Sequence, residues 1–489
     1  MAGVAGFGPT SARVKVWCLT AWLYPNIFRL FNYTIKTEKV NPFFKNTSHS
    51  FFGELIDKAL AQRYNEREIY YWVRKGFTIM KKTVLRKYAR LIAAMGGNVQ
   101  KGQEVQILAS VEQPEFVRMV AEECYRQGAK KVIVDFDYQP LTKLAIQKCS
   151  TTTLCKIEDW EVAKLEHRAN TLPVRIYLES DDPDGLKGVN QGKMAKAGQA
   201  RYKVMKPYLD KMENRYQWCI AAVPGVAWAK KVFPGESKFR AVEKLWQNIL
   251  MTSRVEENGD PVAAWEEHNR DLAARCDYLN SLGLAELEYK ASNGTDFRVG
   301  LHEDALFMGG AEKALGSGVV FNPNIPSEEV FTSPRRGKAE GIVYASKPLS
   351  YHGELIENFS IRFENGKAVE VHAEKNEELL KKMISMDEGA AYLGECALVP
   401  YDSPISNSGV LFYNTLFDEN AACHLALGHG FTNVLKDYDQ YTTEECYARG
   451  INESQIHVDF MIGTKDLSIT GITKDGKRIP VFKNGNWAF

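Results

Sequence analysis

The stretch from residue 104 to residue 136 reads EVQILASVEQPEFVRMVAEECYRQGAKKVIVDF. Its two ends are short apolar runs, which are typical of buried strands. Between them, Pro114 and Glu115 open a helix that stops near Gly128. A strand, a helix and a second strand in this order form a βαβ unit, whose two strands pair in parallel. The stretch therefore predicts an α/β fold.

The same pattern extends to both sides of this unit. Upstream, residues 88–93 predict a helix that ends at Gly96 and Gly97. Downstream, residues 218–224 predict a further strand. These elements enlarge the predicted α/β domain.

The chain changes character near residue 280. A helix predicted over residues 264–282 leads into a strand at residues 287–291, after which strands and loops dominate. We therefore predict two domains within an α/β fold. Residues 80–280 form an N-terminal α/β domain with parallel strands, and residues 281–489 form a C-terminal α+β metal-binding catalytic domain.

Two hairpins are predicted in the C-terminal domain. Asn365 and Gly366 separate two alternating runs, and this dipeptide is a strong signal for a tight hairpin turn. Residues 474–477 contain Asp-Gly between apolar residues and predict a second hairpin.

Four short segments of the C-terminal part contain side chains that can bind metals. Within residues 322–460 these candidates are Glu329, Glu395, Glu419, His424, His457 and Asp459. The four carboxylates would neutralise two divalent cations and leave room for a bridging water. The set indicates a two-metal hydrolase.

The spacing within two segments predicts how strands present the ligands. His457 and Asp459 flank one apolar residue, so a strand would place both on one face. Glu395 lies in an extended run, on a face that otherwise holds Leu393 and Ala397.

The third segment predicts a helix. Glu419 and His424 are five residues apart, which separates them by about 140° on a regular helix. We therefore expect Glu419 in the entering turn, Asp418 or Asn420 near the N-cap, and His424 one turn inside.

In the fourth segment Glu328 and Glu329 are adjacent, and extended neighbours point to opposite faces. Only one of them can easily enter a site. For any single segment, solvated acids and hydrogen-bonded histidines are the default interpretation. The four segments together favour a metal site. Of the histidines outside these segments, His352 and His429 are the two most open to a functional role.

These segments resemble those of the thermophilic-type metallo-aminopeptidase family (aminopeptidase T, aminopeptidase S). The similar segments are residues 324–334, 394–400, 418–428 and 457–459, and the resemblance runs from about Met80 to the C-terminus. It implies a two-domain fold, a dinuclear metal centre, removal of N-terminal residues from peptides, and a homodimer around an enclosed cavity.

The resemblance also implies the chemistry of the site. We expect two divalent ions per subunit, zinc, cobalt or similar, and a peptide substrate with a free N-terminus. The ions would polarise the scissile carbonyl and activate water, and Glu329 would act as the proton carrier.

Two positions depart from the family pattern. Glu328 stands where the family usually has glycine, which adds a charge beside the site. Phe431 stands where the family usually has tyrosine, and a phenyl ring cannot donate a hydrogen bond. We therefore expect lower activity, or another donor in place of the phenol.

Composition and charge narrow the class of protein. The 489 residues are 45% hydrophobic and 25% charged, with a net charge of +1, as in an ordinary globular protein. Basic clusters interleaved with aromatic residues are absent, so nucleic acid is not an expected partner. The nine cysteines include no Cys-x-x-Cys pair, which is typical of reduced thiols in the cytoplasm. No run is apolar enough for a membrane span.

Residues 1–79 differ from the rest of the chain. They contain 11 Lys and Arg against 5 Asp and Glu, a net charge of +6, so the other residues must sum to −5 to give the total of +1. They contain no complete targeting signal, and a transit peptide is the alternative. We expect an extension outside the working enzyme, with Met80 as the authentic start.

Two other functions stay open at this point. A dinuclear hydrolase of esters or phosphates would need a cationic clamp, for which Arg335 and Arg336 are the candidates. A binding protein that kept the fold, with weak activity, is suggested by Phe431. The complete ligand set argues against this second alternative.

Overall fold

The structure is a computed structural model that describes residues 81–489. The predictions for residues 1–79 and for a start at Met80 lie outside the described residues. Among residues 81–489, no helix is both long enough and apolar enough to cross a bilayer.

Helices and strands alternate in the first part of the described chain, and strands dominate the second. The α-helices, in chain order, are α1 (Lys82–Leu91), α2 (Pro114–Arg126), α3 (Gln139–Lys148), α4 (Thr151–Cys155), α5 (Asp159–Thr171), α6 (Gln191–Met212), α7 (Val226–Val232), α8 (Lys238–Thr252), α9 (Pro261–Ser281), α10 (Glu377–Met383), α11 (Pro404–Asn407), α12 (Thr415–Asp418) and α13 (Thr443–Ala448). The strands are β1 (Glu104–Ser110), β2 (Lys131–Asp137), β3 (Val174–Glu179), β4 (Trp218–Ala222), β5 (Leu284–Lys290), β6 (Asp296–Leu301), β7 (Glu312–Lys313), β8 (Val320–Phe321), β9 (Asn324–Ile325), β10 (Val330–Thr332), β11 (Pro334–Tyr344), β12 (Leu349–Tyr351), β13 (Glu354–Glu364), β14 (Lys367–Lys375), β15 (Leu393–Leu398), β16 (His424–Gly428), β17 (His457–Met461), β18 (Ser468–Thr473), β19 (Arg478–Lys483) and β20 (Asn486–Trp487). The predicted change after the helix that ends near residue 280 is therefore present.

The first sheet is parallel and has the order β2-β1-β3-β4-β9. β1 and β2 pair in parallel along their whole length, which confirms the predicted βαβ unit. Helices α1, α2 and α8 contribute Tyr88, Phe116 and Trp246 to the core of this part. Phe116 packs between the other two rings, with centroid distances of 5.6 Å and 5.3 Å. The predicted α/β fold is confirmed.

The last strand of the parallel sheet comes from the second part of the chain. β9 pairs in parallel with β4, so that Asn324 lies opposite Ile220 and Ile325 opposite Ala221. The segment that leads to Glu329 is thereby anchored in the parallel sheet. The division at residue 280 stays a prediction.

The largest sheet is antiparallel. Its order is β12-β13-β11-β6-β5-β18-β19-β20, and β14 pairs with β13. β13 and β14 form the first predicted hairpin, in which Asn365 and Gly366 have φ angles of 50° and 80°. Positive φ at both central residues is the backbone of a type I′ turn, which Asn-Gly favours. β18 and β19 form the second predicted hairpin.

A four-stranded antiparallel sheet with the order β10-β15-β16-β17 provides the frame for the candidate ligands. One face contributes Cys396, Leu425 and Phe460 to a core that it shares with residues of the largest sheet. Because side chains alternate along a strand, the sequence neighbours of each of these three residues lie on the opposite face. That opposite face holds the ionisable residues.

Candidate metal centre

Three predicted ligands lie in neighbouring rows on one face of the four-stranded sheet. Glu395, Ala426 and Asp459 lie opposite one another on β15, β16 and β17, and the next row pairs Gly428 with His457. The prediction that a strand presents His457 and Asp459 together is confirmed.

Small residues leave room above this face. Ala426 separates Glu395 from Asp459, and His424 lies opposite Ala397 in the adjacent row. A larger side chain at either alanine would fill the space between the ligand atoms. The sheet therefore provides a cradle rather than a packed surface at this position.

A β-bulge at Gly394 sets the orientation of Glu395. The register of β15 against β16 shifts between Leu393 and Glu395. A Cβ atom on Gly394 would lie 2.0 Å from the carbonyl oxygen of His429, so only glycine fits. Our prediction that Leu393 shares the face of Glu395 is wrong, because the bulge turns Leu393 into the core on the other side.

The prediction of a helix from Glu419 through His424 is also wrong. α12 ends at Asp418, Glu419 begins a 3-10 turn, and His424 begins strand β16. The Asp418 carboxylate does not cap a following helix. It accepts the backbone N–H groups of Phe412 at 2.9 Å and Asn414 at 3.1 Å, and so fastens the preceding loop.

Glu328 and Glu329 have different partners, as expected for adjacent residues in an extended segment. The Glu328 carboxylate accepts two hydrogen bonds from Arg254, at 2.7 Å and 3.0 Å. Glu329 Oε2 lies 3.3 Å from His424 Nε2. The additional charge of Glu328 is therefore paired with a guanidinium, and Glu329 is the acid that enters the ligand cluster.

Five of the six predicted ligands form two overlapping groups, in each of which one atom per residue lies within 4.8 Å of the others. One group is Glu329, Glu395 and His424, and the other is Glu395, His457 and Asp459. Glu395 belongs to both groups, so the two groups meet at its carboxylate. Glu419 belongs to neither group. Its carboxyl group is nevertheless influenced by the cluster, because burial and the charge of Asp459 raise its pKa well above the usual value.

Burial and mutual repulsion perturb the ionisation of these side chains. Burial and the charges of Glu329 and Asp459 raise the pKa of Glu395 to about 7. Burial disfavours a charge on His424, but the hydrogen bond and charge of Glu329 raise the His424 pKa to about 9. Burial also disfavours a charge on Asp459, yet the charge of His457 holds the pKa of Asp459 below its usual value. A cluster of this kind is stabilised by bound cations.

The orientations of the imidazoles fit metal binding. His424 Nδ1 donates to Ala422 O at 3.1 Å, and His457 Nδ1 donates to His429 O at 2.8 Å. Each bond turns Nε2 towards the carboxylates, where it can bind an ion after losing its proton. Asp459 Oδ1 is buried without a hydrogen-bond partner of good geometry, although His457 Nε2 lies 3.2 Å away. Oxygen and imidazole donors of this type suit divalent ions such as zinc or cobalt.

Sequence reasoning missed residues that position the ligands. Asn420 Oδ1 accepts the backbone N–H of Glu328 at 2.7 Å, and its Nδ2 donates to Leu416 O at 2.9 Å. A buried amide beside a predicted ligand is a signal that could have been used. Local spacing gives no sign of Arg254, because its contact with Glu328 joins distant parts of the sequence. His429 orients His457 through its main-chain oxygen rather than through its ring.

Phe431 forms an apolar wall beside the ligands. The centroid of its ring lies 5.0 Å from that of His457 and 5.2 Å from that of Phe331. Its backbone N–H donates to Ser333 Oγ at 2.8 Å. The place where the family usually has a phenol is therefore occupied by a hydrocarbon surface in contact with His457.

Comparison with known proteins agrees with this geometry. The sequence matches the family described as thermophilic metalloprotease (M29) over residues 81–487. It is 43% identical over 406 residues to aminopeptidase AmpS of Bacillus subtilis (strain 168), covering 83% of this chain and 98% of that protein. It is 40% identical over 407 residues to aminopeptidase T of Thermus thermophilus, with 83% and 98% covered. The structure of wild-type AmpT from Thermus thermophilus superposes with a TM-score of 0.75 at 39% identity, covering 83% of this chain and 100% of that one. The chain therefore belongs to the thermophilic metalloprotease (M29) family, as the resemblance of its ligand segments predicts.

Proposed function

We propose that this chain is a metal-dependent aminopeptidase that holds two divalent ions between Glu329, Glu395, Glu419, His424, His457 and Asp459. The observation that supports it most directly is the pair of overlapping ligand groups that share Glu395. Relatives that match most of the chain are named aminopeptidases, and the family is one of metalloproteases. Zinc and cobalt are the expected ions, because the donors are oxygens and imidazole nitrogens.

The residues of this chain would orient the reaction and move a proton. Bound divalent ions polarise a carbonyl and lower the pKa of water. Glu395 would hold the two ligand groups at a fixed separation, and the main-chain contacts of His424 and His457 would keep their rings aligned. Glu329, whose Oε2 lies 3.3 Å from His424 Nε2, would take up and return the proton.

Substrate, assembly and location extend this proposal. The substrate is a peptide with a free N-terminus, as the names of the relatives indicate. We further propose a homodimer, on the family resemblance. The cysteines of the described part are all free, which agrees with a reducing compartment such as the cytoplasm.

The ester or phosphate alternative has little support in the geometry. Arg336 Nη2 lies 2.6 Å from a carboxylate oxygen of Glu388, and its guanidinium stacks 4.6 Å from the ring centroid of Tyr392. This arginine is engaged away from the ligands. The binding-protein alternative is motivated by Phe431 and is opposed by the five candidate ligands that lie together in the two groups.

Metal content and substrate blocking test the proposed function together. We expect close to two divalent ions per chain after gentle purification, loss of turnover on chelation, and recovery with zinc or cobalt. We expect cleavage of a peptide with a free α-amine and a loss of orders of magnitude when that amine is acetylated. The matched control is the same peptide with an amidated C-terminus, which an aminopeptidase should still cleave.

Two results would contradict the proposal. Full turnover in thoroughly metal-free protein would remove the metal centre from the mechanism. Equal cleavage of free and acetylated peptides would show a different peptidase class.

A further inference from the structure

Glu312 is a carboxylate that a neighbouring segment brings towards the metal ligands. The chain at Met308 runs antiparallel to β10, and the backbone N–H groups of Met308 and Phe331 donate to each other's carbonyl oxygens at 2.9 Å and 2.8 Å. A Cβ atom on Gly309 would lie 2.4 Å from the carbonyl oxygen of Glu329, so glycine permits this close approach. Glu312 follows at the start of β7. It belongs to neither ligand group.

Within residues 81–489, the Glu312 carboxylate has no partner of opposite charge. Asn433 Nδ2 donates to Glu312 Oε2 at 3.5 Å, which is the outer limit of a hydrogen bond. Among residues 81–489, the charged group that acts on it is another acid, Glu329. Burial and that charge raise the pKa of Glu312 to about 7. Residue 312 keeps some accessible surface, so it is not sealed from solutes such as a cation.

Apolar and aromatic side chains lie in the same region. Phe331 belongs to a hydrophobic cluster against which Met308, Phe431 and Tyr438 pack. Asn433, which donates to Glu312, directly precedes Val434 of this cluster. Burial and the charge of Glu312 also raise the pKa of Tyr438. A carboxylate beside aromatic faces is an environment that binds ammonium groups.

We propose that Glu312 binds the N-terminal ammonium group of the peptide substrate. This inference rests on the proposed function, because an exopeptidase must distinguish a terminal amine from an internal amide. A lysine side chain would supply the same chemical group. The α-ammonium is the better match, because Glu312 lies near Glu329 and the α-ammonium is the cation closest to the scissile carbonyl.

Two isosteric variants of the full chain test this assignment. Glu312→Gln removes the charge at nearly constant volume. Glu213→Gln is the matched control, since the buried Glu213 accepts a hydrogen bond from Thr432 Oγ1 at 2.9 Å in the same 3-10 turn that contains Asn433. Calorimetry on zinc-loaded protein compares leucinamide with 4-methylpentanamide, which lacks only the amine. Steady-state kinetics compare leucine and lysine p-nitroanilides.

We expect the unmodified chain to prefer leucinamide, and Glu312→Gln to lose about tenfold to a hundredfold in affinity for it. KM should rise by the same factor for both anilides, while metal content and the affinity for 4-methylpentanamide stay the same. Glu213→Gln should keep the preference for the amine.

An unmodified chain without a preference for the amine would overturn the inference. So would an unchanged preference in Glu312→Gln, an equal loss in Glu213→Gln, or a loss confined to the lysine substrate. Because calorimetry needs no turnover, an inactive but amine-selective protein would refute the proposed function and leave the role of Glu312 supported.

Discussion

The parallel sheet and the four-stranded antiparallel sheet differ in where they place charge. In the parallel sheet the charged residues pair at the periphery, as His167 does with Glu104 at 2.7 Å and Arg168 with Asp135 at 3.2 Å. In the four-stranded sheet, buried acids face one another, and within the described residues the basic groups at ion-pair distance from them are the two ligand histidines.

This difference separates stability from function along the chain. Glu104 and Asp135 of the parallel sheet have basic partners on α5, so the buried residues of this sheet contribute to the free energy of unfolding in the usual way. The four-stranded sheet keeps carboxylates together at a cost in free energy that bound cations would offset. Core substitutions in the parallel sheet should therefore lower the free energy of unfolding, whereas substitutions of the ligands should lower metal affinity and turnover.

The largest expected effect comes from comparing a substitution at a ligand with a substitution in the core of the parallel sheet. Glu395→Gln removes a carboxylate that belongs to both ligand groups, so we expect metal affinity and turnover to fall by orders of magnitude. The metal-free protein should be at least as stable as before at neutral pH, because burial and neighbouring acids raise the pKa of Glu395 and make its charge unfavourable. Ile107→Ala opens a cavity in the fully buried face of the parallel sheet and should cost about 2–5 kcal/mol in the free energy of unfolding. Its kcat should be unchanged at temperatures where it is folded.

Denaturant unfolding of the metal-free proteins, metal analysis and steady-state kinetics measure both variants. The comparison would be broken if Glu395→Gln unfolded as readily as Ile107→Ala, or if Ile107→Ala lowered kcat while folded.

The second prediction concerns Glu328, a buried acid near the ligands that pairs with the Arg254 guanidinium. Arg254→Met would leave the Glu328 carboxylate buried and unpaired, since its side chain is only 7% exposed. We expect a loss of about 3–5 kcal/mol in the free energy of unfolding. The double variant Arg254→Met/Glu328→Met should recover most of it, because two apolar side chains replace the ion pair. A double variant as unstable as Arg254→Met would show that Arg254 acts through contacts other than Glu328.

The smallest expected effect is a pH dependence that arises outside the ligand sheet. Burial of His302 lowers its pKa to about 4, and its Nε2 atom has no hydrogen-bond partner in the described part. Between pH 6.5 and 4 the unfolded chain binds a proton that the folded chain does not. The contribution of His302 to stability should therefore fall by about 1–3 kcal/mol as the pH drops through this window, and stay constant above it.

The measurement should use metal-free protein, because protonation of the ligands would release bound ions as the pH falls. His302→Gln should flatten the dependence between pH 6.5 and 4. An unchanged slope in that variant would assign the acid sensitivity to other groups.

Sequence reasoning succeeded where local patterns set the structure. The βαβ unit, the strand that presents His457 and Asp459, and the Asn365-Gly366 turn all follow from periodicity or turn chemistry within a few residues. It failed where distant contacts decide. His424 was placed on a helix, yet it pairs with Ala397 and Met461 of neighbouring strands. Leu393 was placed on the wrong face because the bulge at Gly394 depends on the approach of His429, which directly follows β16.

The short strand β9 ties the ligand cluster to a part of the molecule that contains no ligand. β9 pairs with β4. Just before β9, the carbonyl oxygen of Pro323 accepts the backbone N–H of Ile220 at 2.7 Å. Fraying of this sheet edge would free the segment that positions Glu329, and an ion bound there as proposed would lose one of its ligands. The proposed site therefore predicts that the lifetime of bound metal follows hydrogen exchange at the β4–β9 edge, and that a substitution there accelerates metal loss without altering any ligand.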